Sequence, residues 1–369
     1  MRILQIAPLW ESVPPPAYGG TEAVVSLLTD GLVARGHDVT LAASGDSCTS
    51  ARLMSVYPRS LRTADDLRDR NPYDWAHIAE ALRAADNFDI VHNHAGELAM
   101  AMSAMVRVPV LTTTHCLTTP DTRFIWDRYR GAYNTISRSQ RRNFDWYEGP
   151  ARYMGCVYNG IDVESFPFCA DKGHDLLFLG RVAPEKGPQI AIDVALRVGR
   201  RLIIAGKVDN YDRAFFESVV EPLIDGRQIV FLGEADARLK RELYARAMCV
   251  LMPLTWEEPF GLVMAEAMAC GTPVIAFRRG SAPELVADGV AGFIVDTVEE
   301  MCEAVSQMGR IDPAACRAHV AAHFGIGQMT EGYLRLYEHL LDKPDRESSI
   351  EASAEPSAAG GGTRSLTVA

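Results

Sequence analysis

Short runs of β-branched and apolar residues alternate with longer amphipathic stretches along almost the whole chain, a rhythm satisfied by successive βαβ units with parallel sheets. RILQIA at 2–7 reads as a strand and is followed by a Pro-rich loop. Residues 20–35 read as a helix stopped by Gly36, and 38–43 as the next strand. Further strands are predicted at 90–93, 108–113 and 133–137, closing a first half near Gly155. A second series starts at Asp175 with LLFLG and runs through a helix near 184–198, RLIIAG, a helix near 211–223 and QIVFLG. It continues with a helix at 235–247, the strand CVLMPL, a helix at 260–270, the strand PVIAF and the short strand GFIV.

NGIDVESFPFCADKGHD, between the two series, is rich in turn formers and lacks a sustained period. The expected organisation is a first domain over 1–158, a hinge over 159–174 and a second domain over 175–327. An amphipathic helix over 328–342 crosses back to the first domain. The tail 343–369, rich in Ser, Ala and Gly, is expected to be disordered. A chain of 369 residues with 48% hydrophobic content can fill two such cores. The predicted class is α/β, with two Rossmann-like, doubly wound domains whose parallel sheets face a central cleft.

A net charge of -11 disfavours nucleic acid or an anionic bilayer as a general partner. No apolar run reaches the roughly 18 residues that span a membrane, and the first residues lack the layout of a signal peptide. A soluble, cytoplasmic protein without a transmembrane segment is expected. The eight cysteines are scattered without a C-x-x-C pair, so they read as free thiols, with Cys249 and Cys270 as core packing. No metal or other cofactor is expected.

The strongest chemical signal is EEPFGLVMAEAMACGTPVIAF at 257–277. Pro259 suits the first position of a helix, which would put Glu258 at its mouth and Glu266 two turns in, on the same side. The stretch between them is apolar all round, so the helix must be buried with Glu266 as its one charge. Such a carboxylate needs partners: ligand hydroxyls, or an arginine in a purely structural role. The amides of Phe260, Gly261 and Leu262 at the helix start suit polar oxygens or phosphate.

In LLFLGRVAPEKGPQ a strand ends at Gly180 and a helix opens near Pro184, leaving Arg181 and Lys186 at the carboxyl end of a strand, where open α/β sheets bind ligands. The two cations form a candidate diphosphate clamp or, alternatively, a solvated surface pair. Gly19 and Gly20, in AYGGTEA, let the backbone approach a phosphate or sugar at a helix start. They do not make a G-x-G-x-x-G fingerprint, which counts against a dehydrogenase. His115 follows the strand PVLTTT and is placed to meet a sugar hydroxyl, or serves structurally. His92 and His94 share one side of their strand, without further metal ligands in evidence.

YGGTE, the NGID loop at 159–162, GRVAPEKG at 180–187 and the E-x7-E element from Glu258 to Glu266 followed by AMACGTPVIA together resemble glycosyltransferase family 4, the retaining group with the GT-B fold. The resemblance covers about residues 2–341. It implies that Arg181 and Lys186 hold the diphosphate of a nucleoside-diphosphate sugar, and that Glu258 with the amides of Phe260 and Gly261 holds the sugar. Glu266 would bind the ribose, Gly20 would approach the phosphate, and His115 would reach the sugar from the opposite domain. Members of this kind transfer a hexose to an acceptor hydroxyl by metal-independent front-face substitution. UDP-glucose is the first donor expected and GDP-mannose the second. The acceptor is left open among small molecules, lipid-linked compounds and saccharides, and a homodimer is compatible with the sequence. APLWESVPPPAYGGTE is in addition similar to a subgroup labelled UDP-glucose:tetrahydrobiopterin glucosyltransferases. The competing expectations are a catalytically silent nucleotide-sugar-binding module and a nucleotide-sugar epimerase of the same fold.

Overall fold

The computed structural model describes residues 1–342, so the tail at 343–369 lies outside the described residues. The first sheet contains β1 (Arg2–Ile6), β2 (Asp38–Ala42), β3 (Arg52–Met54), β4 (Ile90–Asn93), β5 (Val110–Thr114), β6 (Ala132–Thr135) and β7 (Arg152–Cys156). All are parallel, in the order β3-β2-β1-β4-β5-β6-β7. The second contains β8 (Leu176–Leu179), β9 (Leu202–Ala205), β10 (Ile229–Phe231), β11 (Cys249–Met252), β12 (Val274–Phe277) and β13 (Gly292–Val295), again all parallel, in the order β10-β9-β8-β11-β12-β13. These are the two doubly wound Rossmann-like domains expected from the alternation of elements.

The central strands β4, β5, β6, β8 and β11 are buried along their whole length, as sheets covered by helices on both faces require. Two strands escaped the sequence reading. β3 is three residues long and mostly exposed, and β7 is only half-buried throughout, so neither carries the continuous apolar run of an inner strand. Each sheet reverses its order at one place, between β1 and β4 and between β8 and β11. Side chains following those strands therefore open onto crevices at their carboxyl ends.

Helix Ile326–Asp342 leaves the second domain and lies on the first. Its buried Met329, Tyr333, Tyr337 and Leu340 recur at helical spacing and pack with Ile3, Val24 and Leu28. Burying each such large side chain is worth about 1.5–3 kcal/mol, which ties the chain's last described element to the first domain. Gly31 makes the contact possible, since a Cβ there would collide with the Thr330 hydroxyl.

Candidate active site

The loop after β1 ends at Gly19, whose φ of 137° is open to glycine alone, and a Cβ there would meet Pro15 Cβ at 2.7 Å. The chain is thereby turned into helix Gly20–Ala34. A Cβ on Gly20 would stand 3.3 Å from Leu262 Cδ1, and Leu262 is the first residue of helix Leu262–Ala269 in the second domain. Two helix amino termini, one from each domain, thus meet at the interdomain cleft, and both direct positive dipole ends toward it.

Helix Leu262–Ala269 corrects one expectation. It does not begin at Pro259: Gly261 is left-handed at φ 81° and caps it, and the Met264 amide donates to the Gly261 carbonyl at 3.0 Å. Phe260 and Gly261 thus precede the helix, and of the three amides expected at its start only that of Leu262 is helical. Glu258 lies on the approach loop, so its relation to Glu266 is not two turns of one helix. The Phe260 side chain is buried, and its carbonyl accepts from Ser281 Oγ at 2.6 Å.

The loop after β8 carries both predicted cations, and each meets carboxylates. Arg181 donates to Asp212 Oδ2 at 2.6 Å and to Glu185. Lys186 donates to Glu258, which also accepts from Trp256 Nε1 at 3.0 Å, and the ammonium stands 4.6 Å from the Trp256 ring centroid. Neither cation is the solvated surface charge weighed as the alternative. The Thr255 amide donates to the Glu185 carbonyl at 2.9 Å, holding the loops after β8 and β11 together.

Glu266 is buried, and its side-chain partners are a lysine and a tyrosine rather than an arginine: Lys240 Nζ donates to Oε1 at 2.9 Å and the Tyr244 hydroxyl to Oε2 at 2.8 Å. Sequence reasoning missed both donors, although Lys240 and Tyr244 are four residues apart on helix Ala237–Arg246 and so share a face. Burial and the adjacent Glu266 carboxylate push the Tyr244 hydroxyl well above its usual range.

A cavity of about 360 Å³ opens between the domains, with Tyr18, Gly19 and Gly20 on one wall and Gly180, Lys240 and Glu266 on the other. Of the predicted site residues, Arg181, Lys186, Glu258 and His115 do not line it. Arg181 is close enough to lower the titration of the Tyr18 hydroxyl, which burial raises. Cys116, next to His115, has its thiol pushed up by desolvation and then by the carboxylates of Glu97, Glu22 and Glu258.

His115 shares a hydrogen bond with His94, Nε2 to Nδ1 at 2.9 Å, and burial lowers its titration to about 4, so the ring is neutral. Glu22, a letter of the YGGTE motif given no role in the sequence reading, is buried at the start of helix Gly20–Ala34. Burial pushes its carboxyl up to about 7 against the pull of backbone amides. Two polar ties span the domains. Arg62 donates to Glu11 and to Glu234, both at 2.7 Å, and Glu284 accepts from the amides of Arg138 and Ser139 and from the Tyr158 hydroxyl at 2.8 Å. Among the described residues no group of three or more His, Cys, Asp or Glu is arranged to hold a metal ion, and no helix is long and apolar enough to cross a membrane.

Residues 18–165 match the family described as Glycosyltransferase Family 4, and residues 173–310 the family described as Glycosyl transferases group 1. A D-inositol 3-phosphate glycosyltransferase of Frankia alni is 27% identical over 88% of this chain and 95% of its own length. Its namesake in Mycolicibacterium smegmatis is 27% identical over 71% of this chain and 70% of its own. Among solved structures, AviGT4, a glycosyltransferase involved in avilamycin A biosynthesis, superposes with a TM-score of 0.72 at 24% identity, covering 93% of this chain and 98% of that one. Anabaena HepE in complex with UDP and glucose gives 0.70 at 18% identity over 92% of this chain and 100% of that one.

Proposed function

The chain belongs to the family 4 glycosyltransferases of GT-B architecture, and on that premise we propose that it moves a hexose from a nucleoside-diphosphate sugar to an acceptor hydroxyl with retention at the anomeric carbon and without a metal. The observation that carries this is the meeting of two helix amino termini, at Gly20 and Leu262, beside a cavity lined by Glu266 and Lys240. The donor's diphosphate replaces the carboxylates now paired with Arg181 and Lys186, which frees Glu258 to accept from sugar hydroxyls. Glu266, presented by Lys240 and Tyr244, takes the ribose. The amides near Gly20 and Leu262 receive phosphate oxygens, and His115 meets the sugar from the first domain.

The bond from the anomeric carbon to the diphosphate breaks with its electron pair going to the phosphate oxygen, where the two cations and the helix dipoles stabilise the growing charge. The acceptor oxygen bonds to the same face of the carbon, and its proton passes to the departing phosphate. No side chain is needed as the base. UDP-glucose is the preferred donor, in keeping with the UDP and glucose bound by HepE, and GDP-mannose is second. An inositol phosphate is the first acceptor to try, given the relatives' names.

A thermal-shift screen of nucleotide sugars tests the donor, because a ligand at 100 times its dissociation constant stabilises by about 2.7 kcal/mol. Transfer is then followed by NMR of the product's anomeric proton, with and without a chelator. An inverted anomer, or activity abolished by chelation, would overturn the mechanism proposed.

A further inference from the structure

Behind His115 runs a set of buried polar side chains that the transfer step does not use. Asn134 Nδ2 donates to the Thr135 carbonyl at 3.3 Å, which turns Asn134 Oδ1 toward the Thr113 hydroxyl at 2.7 Å. Two oxygens so close require a proton between them, and it belongs to Thr113. Thr113 Oγ1 must therefore accept from His92 Nε2, 2.6 Å away, and a neutral His92 then accepts at Nδ1 from the Tyr337 hydroxyl at 2.6 Å. Tyr337 has spent its proton and accepts from Gln5 Nε2 at 3.1 Å. Gln5 Oε1 consequently faces His94 Nε2 at 2.8 Å and needs a donor there. His94, protonated on Nε2, can offer only a lone pair at Nδ1 to His115 Nε2.

We infer that this unbroken donor-to-acceptor chain, from Asn134 through Thr113, His92, Tyr337, Gln5 and His94, fixes His115 as its Nε2–H tautomer, so that Nδ1 is left as a hydrogen-bond acceptor for a hydroxyl in the cleft. Tyr337, on the helix that crosses back from the second domain, is then a positioning residue for transfer although it touches no substrate. Reversing the order would put two oxygen lone pairs face to face at Thr113 and Asn134 and leave buried polar groups unmatched. Among the described residues His115 Nδ1 has no hydrogen-bond partner, and the side chain is only half-buried, as a ring atom open to the cleft requires.

The inference rests on the assignment of His115 to the donor site, and the test separates the two. In the full chain labelled with 15N-histidine, long-range 1H–15N spectra identify the tautomer of each ring, and His115 is assigned by the signals lost in His115→Gln. The expected result is a pyrrole-like Nε2 and a pyridine-like Nδ1. Tyr337→Phe should let Gln5 turn over, convert the His115 signals to those of a tautomer mixture, and lower kcat by about tenfold, the order of one hydrogen bond, with the donor KM unchanged. Tyr333→Phe, which removes a hydroxyl 3.3 Å from Thr113 Oγ1 on a side branch but leaves every link of the chain in place, should leave the His115 tautomer as it is. A His115 protonated on Nδ1 in the unmodified protein, or one that keeps its Nε2 proton in both Tyr337→Phe and Gln5→Leu, overturns the inference. If the tautomers behave as expected while His115→Ala retains full turnover, the chain stands and the donor-site assignment falls.

Discussion

Lys186 donates to Glu258, so the loop after β8 and the loop after β11 present one ion pair to the cleft, with the Trp256 indole bonded to the same carboxylate. Donor binding must exchange that pair for two new ones, ammonium to phosphate and carboxylate to hydroxyl. The pair holds both groups in place beforehand and keeps either from standing unmatched in a half-buried site.

Lys186→Ala and Arg181→Ala should each lower kcat at least tenfold, since a charged contact to a leaving phosphate is worth about 1.5–3 kcal/mol. Steady-state rates at saturating donor check this. The exchange model adds a second expectation: Glu258→Gln, which releases Lys186 from its carboxylate, should bind the bare nucleoside diphosphate no more weakly than the unmodified protein while losing turnover. Full rates in both cation variants would remove the diphosphate clamp.

Glu266 is held at both oxygens, by Lys240 and Tyr244, and its placement toward the cavity depends on them. Glu266→Ala should weaken nucleoside diphosphate binding by about tenfold in calorimetry, the scale of one hydrogen bond to a charged group. Tyr244→Phe should weaken it less, because Lys240 remains. Equal affinities in all three proteins would move the ribose contact elsewhere.

The residues that could be read from sequence alone are those that must stand at strand ends. Arg181 and Lys186 lie on the loop after β8, and His115 follows β5, so periodicity was enough to put them beyond the carboxyl ends of those strands. Glu266 was legible as the lone charge on an apolar helix. Its partners were not, because Lys240 and Tyr244 reach it from a separate helix, Ala237–Arg246, and the meeting of two helices is decided by packing that no local pattern encodes. The helix start was misplaced for a local reason: proline suits the first helical turn, but a left-handed Gly261 two residues on redirects the chain and delays the helix to Leu262. The strands β3 and β7 sit at sheet edges, where half-exposed residues blur the signal.

Glu22 sets a pH dependence of its own. Its carboxyl titrates at about 7 in the folded protein against an ordinary 4.5, so the fold favours the protonated form. Its contribution is fully present below about pH 4.5 and is lost as the pH rises through 7, by an amount on the order of 3 kcal/mol. The buried His92 and His94 and the half-buried His115, held neutral, act in the opposite sense and lose stability as the pH falls below 6.5. The difference between proteins isolates the glutamate: Glu22→Gln should match the unmodified protein in urea unfolding at pH 4.5 and exceed it progressively up to pH 8. A constant difference across that range would place Glu22 in a better solvated site than its burial implies.

The tie made by Arg62 is asymmetric. Its Glu11 partner is only 2% exposed, whereas the Glu234 side chain across the cleft is 32% exposed. Burial already pushes the Glu11 carboxyl above its usual range, with Arg62 pulling it back. Removing the guanidinium therefore strands a buried acid on one side and merely frees a solvated one on the other. Arg62→Met should destabilise the protein by about 3 kcal/mol in urea unfolding, while Glu234→Gln should cost about 1 kcal/mol or less, as half-solvated pairs do. Adding Glu11→Gln to Arg62→Met should recover most of the loss, because the stranded charge, rather than the missing bond to Glu234, is what the single variant suffers from. Equal losses in Arg62→Met and Glu234→Gln would instead assign the stabilisation to the bridge between the domains.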